Sequence, residues 1–569
     1  MNRCAIPILA FLLLQPAVLF AQEIPPIDAT VQVDAAKPIG PLHPIYRFFG
    51  ADEPNYATMT YGKQLIGEIG QLGPDPAYFR THNLLNSGDG TAAFKWGSTG
   101  IYSEDKDGKP IYNYTIVDGI FDTYIKNGVH PYVEVGFIPK ELSPHPDPYQ
   151  HSFQPGGSGA GNNIFTGWAY PPTDYGKWGE LVYQWASHCK QRYGDAEVAK
   201  WYWETWNEPN IGYWKGTVQE FYKLHDTAVD AVRRAIPNAK VGGPDSAGAS
   251  NPWFHDFLAH CVSGTNLVTG KIGTPTDFIS FHAKGSPSFV DNHVRMGISN
   301  ELNAANTGFT TIATFPTLKN LPIVIGECDP DGCAACTGPQ LGYRNTPLYA
   351  AYTAAAYSRI LDLADQHGVN IEGALTWAFE FENQPLFFGQ RTLATDGVDL
   401  PVFNVFRMLG KMHGQRITAT SSAAIPLQTI LRSGVRAAPD ISAMASQDDS
   451  HVCVLLCNYH DDDIPGPAAN ITLTISGLPA TLTTATLDHY RIDLTHSDSF
   501  TAWKTMGSPA TPTPAQFATL RQAGQLANMS PSQPQPITGG KTTLDITLPR
   551  QGVSLIVLTY AQSPTTRPG

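Results

Sequence analysis

Short apolar runs alternate with helical patterns along residues 44–412 of the chain. Eight runs rich in aromatic and β-branched residues have the length of buried strands; they span 44–52, 77–84, 130–137, 199–207, 239–245, 277–285, 322–327 and 371–379. Between them, apolar residues recur at the spacing of one helix face, as in Trp178, Leu181, Val182, Trp185 and Cys189. Eight alternations of strand and helix predict a parallel sheet that closes into an α/β (β/α)8 TIM barrel over 44–412.

The pattern changes after about residue 412. Short strand-like runs separated by Gly, Pro, Asn and Asp predict a C-terminal β-sandwich over 413–561, decorated by one helix within 513–526. The run 27–35 is also strand-like, and we expect the segment 22–43 to join the sandwich. Residues 562–569 read as a polar tail.

The first 21 residues resemble a secretory signal peptide, because Arg3 precedes an apolar run and Ala21 offers a small residue for cleavage. Gln15 and Pro16 interrupt that run, which argues against a permanent anchor, and no later segment is apolar enough to span a bilayer. We therefore expect a secreted or periplasmic protein with no membrane in its mature form. A net charge of −13 without a basic cluster argues against a nucleic-acid partner.

Export permits disulfides, and the seven cysteines after residue 21 leave at least one thiol free. Cys453 and Cys457 are separated by roughly 13 Å along one strand, too far for a mutual bridge, so both are expected to be buried. For Cys328, Cys333 and Cys336, one loop-closing bridge and a zinc site are both open; the single CxxC spacing is a weak zinc signal. No metal or organic cofactor is otherwise implied.

Two glutamates follow predicted strands, at the end of a barrel where active residues gather. Glu208 ends the stretch WYWETWNE, and Glu327 follows the buried run PIVIG. Glycoside hydrolysis requires two carboxyl groups across one sugar, one to donate a proton and one to attack or to activate water. The alternative for each glutamate is a solvated or ion-paired surface position. Pro209 fixes the turn after Glu208, and Gly326 is expected to leave room for a ligand beside Glu327.

At this point the chain resembles glycoside hydrolase family 39, which includes bacterial β-xylosidases and, more distantly, α-L-iduronidases. The stretches that carry the resemblance are WETWNEPN, FGADEPNYAT, YFRTHNLL, DFISFHAKG and PIVIGECDP. The resemblance implies a barrel with a C-terminal sandwich and a retaining exo-acting glycoside hydrolase. Its substrate would be an oligosaccharide, with xylose released from the non-reducing ends of xylo-oligosaccharides. The alternatives are the same fold with another specificity (arabinosidase, glucosidase or uronidase) or a non-catalytic carbohydrate-binding protein.

The resemblance also implies roles for individual residues. Glu208 would be the general acid/base and Glu327 the nucleophile that forms a covalent glycosyl–enzyme, with about 5–5.5 Å between the carboxyl groups. Asn207 would bond the 2-hydroxyl and His282 would line the subsite of the non-reducing sugar. The walls would come from Phe137, from Tyr213 or Trp214, and from Trp377. A strained peptide bond is expected between Trp377 and Ala378.

The chain departs from the family pattern at two places. Lys284 stands where the family usually has a tyrosine. It either places a positive charge beside Glu327, which would favour the ionised carboxylate, or turns away to a loop acid. After the eighth strand the family often carries two adjacent glutamates that read sugar hydroxyls, and here Glu380 or Glu382 must serve.

Two basic residues in the second strand have open assignments. His82 either touches the substrate or holds a loop carbonyl. Arg80 either bonds the neighbourhood of Glu208 and Glu327 or forms a structural ion pair inside the barrel. The sequence gives no indication of the oligomeric state.

Overall fold

The computed structural model describes residues 25–156, 163–250 and 252–561, which form a parallel barrel and a second, mixed sheet. The predicted signal peptide, 1–21, and the polar tail, 562–569, lie outside the described residues. Within the described ranges, none of the helices combines the length and the apolarity needed to cross a bilayer. The predicted barrel with a C-terminal sandwich is confirmed.

The chain enters through β1 (Ile27–Pro41) and then builds the barrel from eight parallel strands that are adjacent in sequence order. They are β2 (Phe48–Ala51), β3 (Ala77–Thr81), β4 (Val129–Val135), β5 (Tyr202–Thr205), β6 (Lys240–Ser246), β7 (Phe278–Lys284), β8 (Pro322–Asp329) and β9 (Asn370–Ala374). The backbone of Thr376 closes the ring, since its N–H donates to Phe48 and its carbonyl accepts from Gly50, both at 3.1 Å.

Helices connect the barrel strands and cover the outer face of the barrel, so that the parallel strands are buried on both faces. They are α1 (Thr60–Ile69), α2 (Thr115–Lys126), α3 (Tyr175–Tyr193), α4 (Asp195–Val198), α5 (Val218–Ala235), α6 (Pro252–Ser263), α7 (Ile298–Ala313), α8 (Pro347–His367) and α9 (Pro401–Leu409), followed in the C-terminal part by α10 (Leu427–Ser433), α11 (Ser499–Thr505) and α12 (Pro514–Ala523). Thr217 and Glu220 form a capping box at the start of α5. The left-handed Gly368, with φ of 58°, ends α8.

The second sheet contains β1 and nine strands from the C-terminal part of the chain. Those nine are β10 (Gln415–Ser421), β11 (Asp440–Gln447), β12 (His451–Tyr459), β13 (Ala469–Ser476), β14 (Thr484–Ile492), β15 (Ala527–Asn528), β16 (Gln533–Pro536), β17 (Thr542–Leu548) and β18 (Gly552–Thr559). β1 lies between β10, to which it is antiparallel, and β13, to which it is parallel. Its alternate residues Ala29, Val31, Val33 and Ala35 are buried in the sandwich core.

β12 explains how the two domains share an interface. Its alternate residues Val452, Val454 and Leu456 belong to the sandwich core, whereas Cys453 and Cys457 face the barrel core. The barrel helix α8 packs against β12 and β18, which accounts for its burial on both sides. Cys453 and Cys457 are both free and buried, as expected from their position on one strand.

The cysteine assignment left open by the sequence has a definite answer in the fold. Cys333 and Cys336 form a disulfide with a Cα–Cα distance of 5.4 Å, and so neither thiol is available to a metal in this structure. Cys328 is free and buried, and its thiol donates to Glu301 Oε1 at 3.1 Å.

Candidate active site

The carboxyl ends of the barrel strands bring Glu208 and Glu327 to one rim. Glu327 lies near the end of β8, and Glu208 lies just beyond β5. The Glu208 backbone is left-handed, with φ of 44°, and its N–H donates to the carbonyl of Asp245 at 3.0 Å. A non-glycine residue holds such a φ only where the surrounding structure imposes it. The hydrogen bond to β6 therefore fixes the point from which the Glu208 side chain extends.

Both glutamates contact the same imidazole. His282 Nδ1 lies 2.9 Å from Glu208 Oε1 and 3.9 Å from Glu327 Oε2. These two oxygens are therefore at most about 7 Å apart, which is compatible with the close spacing of retaining glycosidases. The two carboxyl groups converge on one place and face it from different strands.

Basic side chains surround the carboxylate of Glu327. Lys284 Nζ lies 2.5 Å from its Oε2, and Arg80 Nη1 and His82 Nε2 each lie 3.8 Å from its Oε1. Burial on its own would raise the pKa of Glu327, but Lys284 and His282 outweigh it and hold the pKa well below its usual range. The carboxylate is thus kept ionised, as a nucleophile must be.

Lys284 takes the first of its two predicted orientations, toward Glu327, and also reaches an acid. Its Nζ lies 3.0 Å from Asp329 Oδ2, on the same strand as Glu327. Burial opposes the charged amine, yet Glu327 and Asp329 raise the pKa of Lys284 above its ordinary value. The ammonium is therefore neutralised by two carboxylates of β8.

His282 lies between two carboxylates, and its predicted place in a sugar subsite stays a prediction. Its Nε2 lies 3.1 Å from Asp245 Oδ2 while its Nδ1 faces Glu208, so both nitrogens address carboxylates. Although burial disfavours the charged ring, Asp245 and Glu327 raise the pKa of His282 to about 10. The side chain is an imidazolium at neutral pH that lies between the two candidate catalytic groups.

Arg80 is fully buried and lies among three further acids. Its guanidinium contacts Glu134 at 2.9 Å, Glu204 at 2.6 Å and Asp245 at 2.6 Å. Burial, followed by repulsion from Asp245, raises the pKa of Glu204 to about 8, and burial raises that of Glu134 well above its usual value. One arginine thus lies among three acids, and burial disfavours the ionised form of two of them. Both predicted roles of Arg80 are met, because it also bonds the site through Asn207.

Among the described residues, the side-chain amide of Asn207 forms a hydrogen bond through its oxygen but not through its nitrogen. Its Oδ1 accepts from Arg80 Nη2 at 3.1 Å. Its buried Nδ2 has no hydrogen-bond partner within the described part of the chain. A buried amide donor without a partner is costly, and so the group is available to a ligand hydroxyl beside Glu208.

His82 binds a carboxylate rather than a loop carbonyl. Its Nδ1 lies 2.9 Å from Asp52 Oδ1, and Arg80 Nη1 approaches its Nε2 at 3.1 Å. Burial and the neighbouring Arg80 lower the pKa of His82, although Asp52 opposes them. A neutral ring that donates to Asp52 and accepts from Arg80 fits these contacts. Its face packs on Trp377 with 4.3 Å between ring centroids.

Aromatic side chains enclose the polar groups. Phe137 packs against the rings of His82, Trp206 and Tyr213. Of the two wall candidates after β5, Tyr213 faces His82, with 6.2 Å between centroids. Trp214 instead packs behind Trp206 and against Phe221, and its indole donates to the Thr217 carbonyl.

Trp377 is positioned by hydrogen bonds. Its backbone N–H donates to Asp329 at 3.1 Å and its indole N–H donates to Asp52 at 3.2 Å. The bond between Trp377 and Ala378 is not among the cis peptide bonds of the described residues, which are Gly136–Phe137, Asp147–Pro148 and Gly243–Pro244. The peptide bond after Trp377, which was expected to be strained, is therefore not cis. The non-proline cis bond of the described residues instead precedes Phe137, one of the wall residues.

Glu380 and Glu382 accept hydrogen bonds from backbone N–H groups of other segments. Glu382 Oε1 accepts from the N–H groups of Tyr61 and Gly62 at the start of α1, at 2.6 and 2.8 Å. Glu380 Oε1 accepts from the Asp396 N–H at 2.6 Å. Glu382 thus caps the N-terminus of α1, and this role accounts for its position without any contact with a sugar.

Gly326 leaves room for a side chain of the protein, not for a ligand. A Cβ at this position would lie 2.0 Å from Asp245 Oδ1. This corrects the expectation from sequence, because the space beside the backbone before Glu327 is filled by the carboxylate that holds His282.

Sequence reasoning missed five acids and one lysine that complete the site: Asp52, Glu134, Glu204, Asp245, Asp329 and Lys95. Lys95 binds Asp52 Oδ2, and both are buried. The available signal was a charged residue within or directly after a run that otherwise reads as buried strand, as in PYVEV and WYWET.

Comparison with known proteins places these observations in context. The sequence model for "Glycosyl hydrolases family 39" matches residues 29–542. The chain is 26% identical over 511 residues to a β-xylosidase of Geobacillus stearothermophilus, with 86% of this chain and 87% of that protein covered. It is 27% identical over 611 residues to the α-L-iduronidase of Homo sapiens, with 99% of this chain and 83% of that protein covered.

Two solved structures extend the comparison to the fold. A bacterial orthologue of human α-L-iduronidase superposes with a TM-score of 0.73 at 20% identity, covering 94% of this chain and 84% of that one. A β-xylosidase from Caulobacter crescentus CB15 superposes with a TM-score of 0.72 at 21% identity, covering 93% of this chain and 99% of that one. At 20% and 21% identity, these two superpositions show only that the fold is shared.

Proposed function

Since the chain belongs to glycosyl hydrolase family 39, we propose that it is a retaining, exo-acting β-xylosidase that releases xylose from the non-reducing ends of xylo-oligosaccharides. That it is a glycoside hydrolase follows from the family. The sugar, the exo mode and the residue roles below belong to the proposal.

One observation carries the assignment of roles: the two carboxylates meet at His282 but have different cationic partners. Glu327 is paired with Lys284 at 2.5 Å and kept ionised, which suits attack on the anomeric carbon. Glu208 contacts His282 and retains 17% of its side-chain exposure, against 7% for Glu327. The more open carboxyl group is the one that should face the departing part of the substrate.

The reaction proceeds in two displacements. In the first, Glu327 forms a bond to the anomeric carbon while the glycosidic C–O bond breaks and Glu208 gives its proton to the departing oxygen. In the second, Glu208 takes a proton from water, the water oxygen bonds to the anomeric carbon, and Glu327 leaves as a carboxylate. Two inversions give net retention.

The surrounding groups suit a sugar in this position. Asn207 Nδ2 is the free buried donor next to Glu208 and would bond the 2-hydroxyl. Phe137, Tyr213 and Trp377 provide apolar walls that exclude water from the glycosyl–enzyme.

Charge balance favours a neutral sugar. Lys284 is already neutralised by Glu327 and Asp329, and so the site offers no unpaired cation at this position for a substrate carboxylate. A xyloside requires no such cation. Many curated relatives that are similar over most of this chain are β-xylosidases or α-L-iduronidases, which makes this discrimination the central question.

The proposal is tested with a panel of 4-nitrophenyl glycosides that covers β-xyloside, α-arabinoside, β-glucoside and uronides. We expect the β-xyloside to give the highest kcat/KM, and proton NMR to show the β-anomer of xylose as first product. Glu327→Ala should lower its turnover by several orders of magnitude, with folding checked by circular dichroism. Unchanged turnover in that variant would remove Glu327 as nucleophile.

A uronidase is the second candidate, and Lys284 is the observation that favours it. Its ammonium lies beside the candidate nucleophile and would need only to exchange Asp329 for a substrate carboxylate. If a uronide is hydrolysed faster than the xyloside, and Lys284→Met removes that preference, the xylosidase proposal is replaced.

A further inference from the structure

A continuous chain of charged contacts leads from the barrel interior to Glu208. Arg80 Nη2 lies 2.6 Å from Asp245 Oδ2, that carboxylate lies 3.1 Å from His282 Nε2, and His282 Nδ1 lies 2.9 Å from Glu208 Oε1. Each link joins a different strand or strand end, β3, β6, β7 and the segment after β5. Glu327 belongs to a separate pairing, with Lys284.

We propose that Asp245 is a positioning residue that, through His282, fixes the carboxyl group of the acid/base Glu208 toward the departing oxygen. The inference rests on the proposed function in one respect only, the role of Glu208 as proton donor and acceptor.

The geometry explains why the position needs an acid. His282 carries a proton on both nitrogens as an imidazolium, and each nitrogen faces a carboxylate: Nδ1 is hydrogen-bonded to Glu208 at 2.9 Å, and Nε2 forms an ion pair with Asp245 at 3.1 Å. Asp245 supplies the partner that does not take part in the reaction. The ion pair holds the charged ring between β6 and Glu208 with Nδ1–H aimed at Glu208 Oε1, so that Glu208 Oε2 is the oxygen that faces the substrate.

Asp245 is itself held in place. It is fully buried, its backbone is left-handed with φ of 49°, and its carbonyl accepts the Glu208 N–H at 3.0 Å. The missing side chain at Gly326 opens the space its carboxylate fills, since a Cβ there would lie 2.0 Å from Oδ1. One residue therefore sets both the backbone and, through His282, the side chain of Glu208.

Because Asp245 acts through Glu208, its loss should slow only the reactions in which the leaving group must be protonated. A misaligned acid/base carboxyl group lowers the rate for substrates whose leaving group needs a proton. It has little effect on substrates whose leaving group departs without one. A purely structural residue would slow both reactions by the same factor.

The test compares Asp245→Asn with wild type on phenyl β-D-xyloside and 2,4-dinitrophenyl β-D-xyloside. We expect kcat/KM to fall about 10–100-fold more on the phenyl substrate, because general acid catalysis is worth on the order of 10²–10⁴-fold. Gly326→Ala should reproduce this difference by displacing the carboxylate, and it serves as the second variant if Asp245→Asn is unstable.

Glu204→Gln is the matched control. Glu204 also binds Arg80, at 2.6 Å, but among the described residues the acids beside His282 are Glu208, Asp245 and Glu327. We expect its kcat/KM to change by the same factor on both substrates. An equal loss on both substrates in Asp245→Asn and Gly326→Ala, or the same leaving-group dependence in Glu204→Gln, overturns the inference.

Failure of the proposed function has a different signature. If wild type turns over neither xyloside, the xylosidase proposal falls, and the same pair of leaving groups on the preferred sugar of the panel then decides the role of Asp245. If wild type and Glu208→Ala show the leaving-group dependence but Asp245→Asn does not, the enzyme assignment stands and the role of Asp245 is rejected.

Discussion

Lys284 and Glu327 are diagonal neighbours on β7 and β8, and Lys284 Nζ lies 2.5 Å from Glu327 Oε2. In the ladder, His282 is paired with Glu327 and Lys284 with Asp329. The two basic residues of β7 that point into the site thus face the two acids of β8. Parallel pairing at the carboxyl end of the strands is what brings the nucleophile and its cation together.

Replacing Lys284 by Met should shift the acid limb of the pH profile upward. The ammonium helps to hold the pKa of Glu327 well below its usual range, so its removal raises that pKa. Glu327 then becomes protonated, and inactive, at a higher pH. We expect the acid limb of kcat/KM to move up by about 1–3 pH units. Lys284→Arg keeps the charge and should leave the limb near its wild-type position; an unmoved limb in Lys284→Met would contradict the pairing.

Replacing Glu208 by Ala should produce a loss that depends on the leaving group. We expect kcat/KM to fall on the order of 10²–10⁴-fold on phenyl β-D-xyloside and much less on the 2,4-dinitrophenyl substrate, which departs without a proton. Azide should restore turnover of the activated substrate and yield a β-xylosyl azide, visible by NMR, because the small anion enters the space of the missing carboxyl group. An α-configured azide product, or none, would count against Glu208 as acid/base in a retaining reaction.

Replacing Arg80 by Met should strongly destabilise the barrel. The guanidinium is fully buried and contacts Glu134, Glu204 and Asp245, so its removal takes away the cation that these three acids share. Breaking a buried network in this way costs about 3–5 kcal/mol, measured as the change in free energy of unfolding in urea. The control is Arg192→Met, whose side chain is 39% exposed beside Asp118 and Asp122 and should cost about 1 kcal/mol or less. Equal losses in both variants would show that the cluster is not the source.

Removing residues 1–41 should prevent the sandwich from folding. β1 lies between β10 and β13 and buries Val31 and Val33 in the sandwich core, so its loss exposes two strand edges and an apolar strip. We expect insoluble protein or loss of a cooperative thermal transition. Removal of residues 1–24 alone, which leaves β1 intact, is the control and should give soluble protein. A soluble, cooperatively unfolding variant that lacks β1 would contradict the sheet order.

Local sequence determined most of the architecture. Each of the eight predicted barrel runs overlaps one strand, because buried parallel strands are short, apolar and bounded by turn residues or helix starts, and these signals are local. Placement of Glu208 and Glu327 at one rim follows from the same order, since strand ends in a barrel share one face. The strand-like run around Cys453 and Cys457 also predicted two buried cysteines without a mutual bridge, because four strand residues span roughly 13 Å.

Tertiary structure alone decided which charged residues of the site contact one another. Gly326 was expected to leave room for a ligand, yet it accommodates Asp245 from another strand. The contacts of His282 with Asp245 and Glu208 were not predicted from the sequence. Lys284 had two open orientations that only the position of Glu327 and Asp329 could resolve. Periodicity tells which side of a strand is buried, but the partner of a buried charge is set by distances between strands, which no local pattern contains.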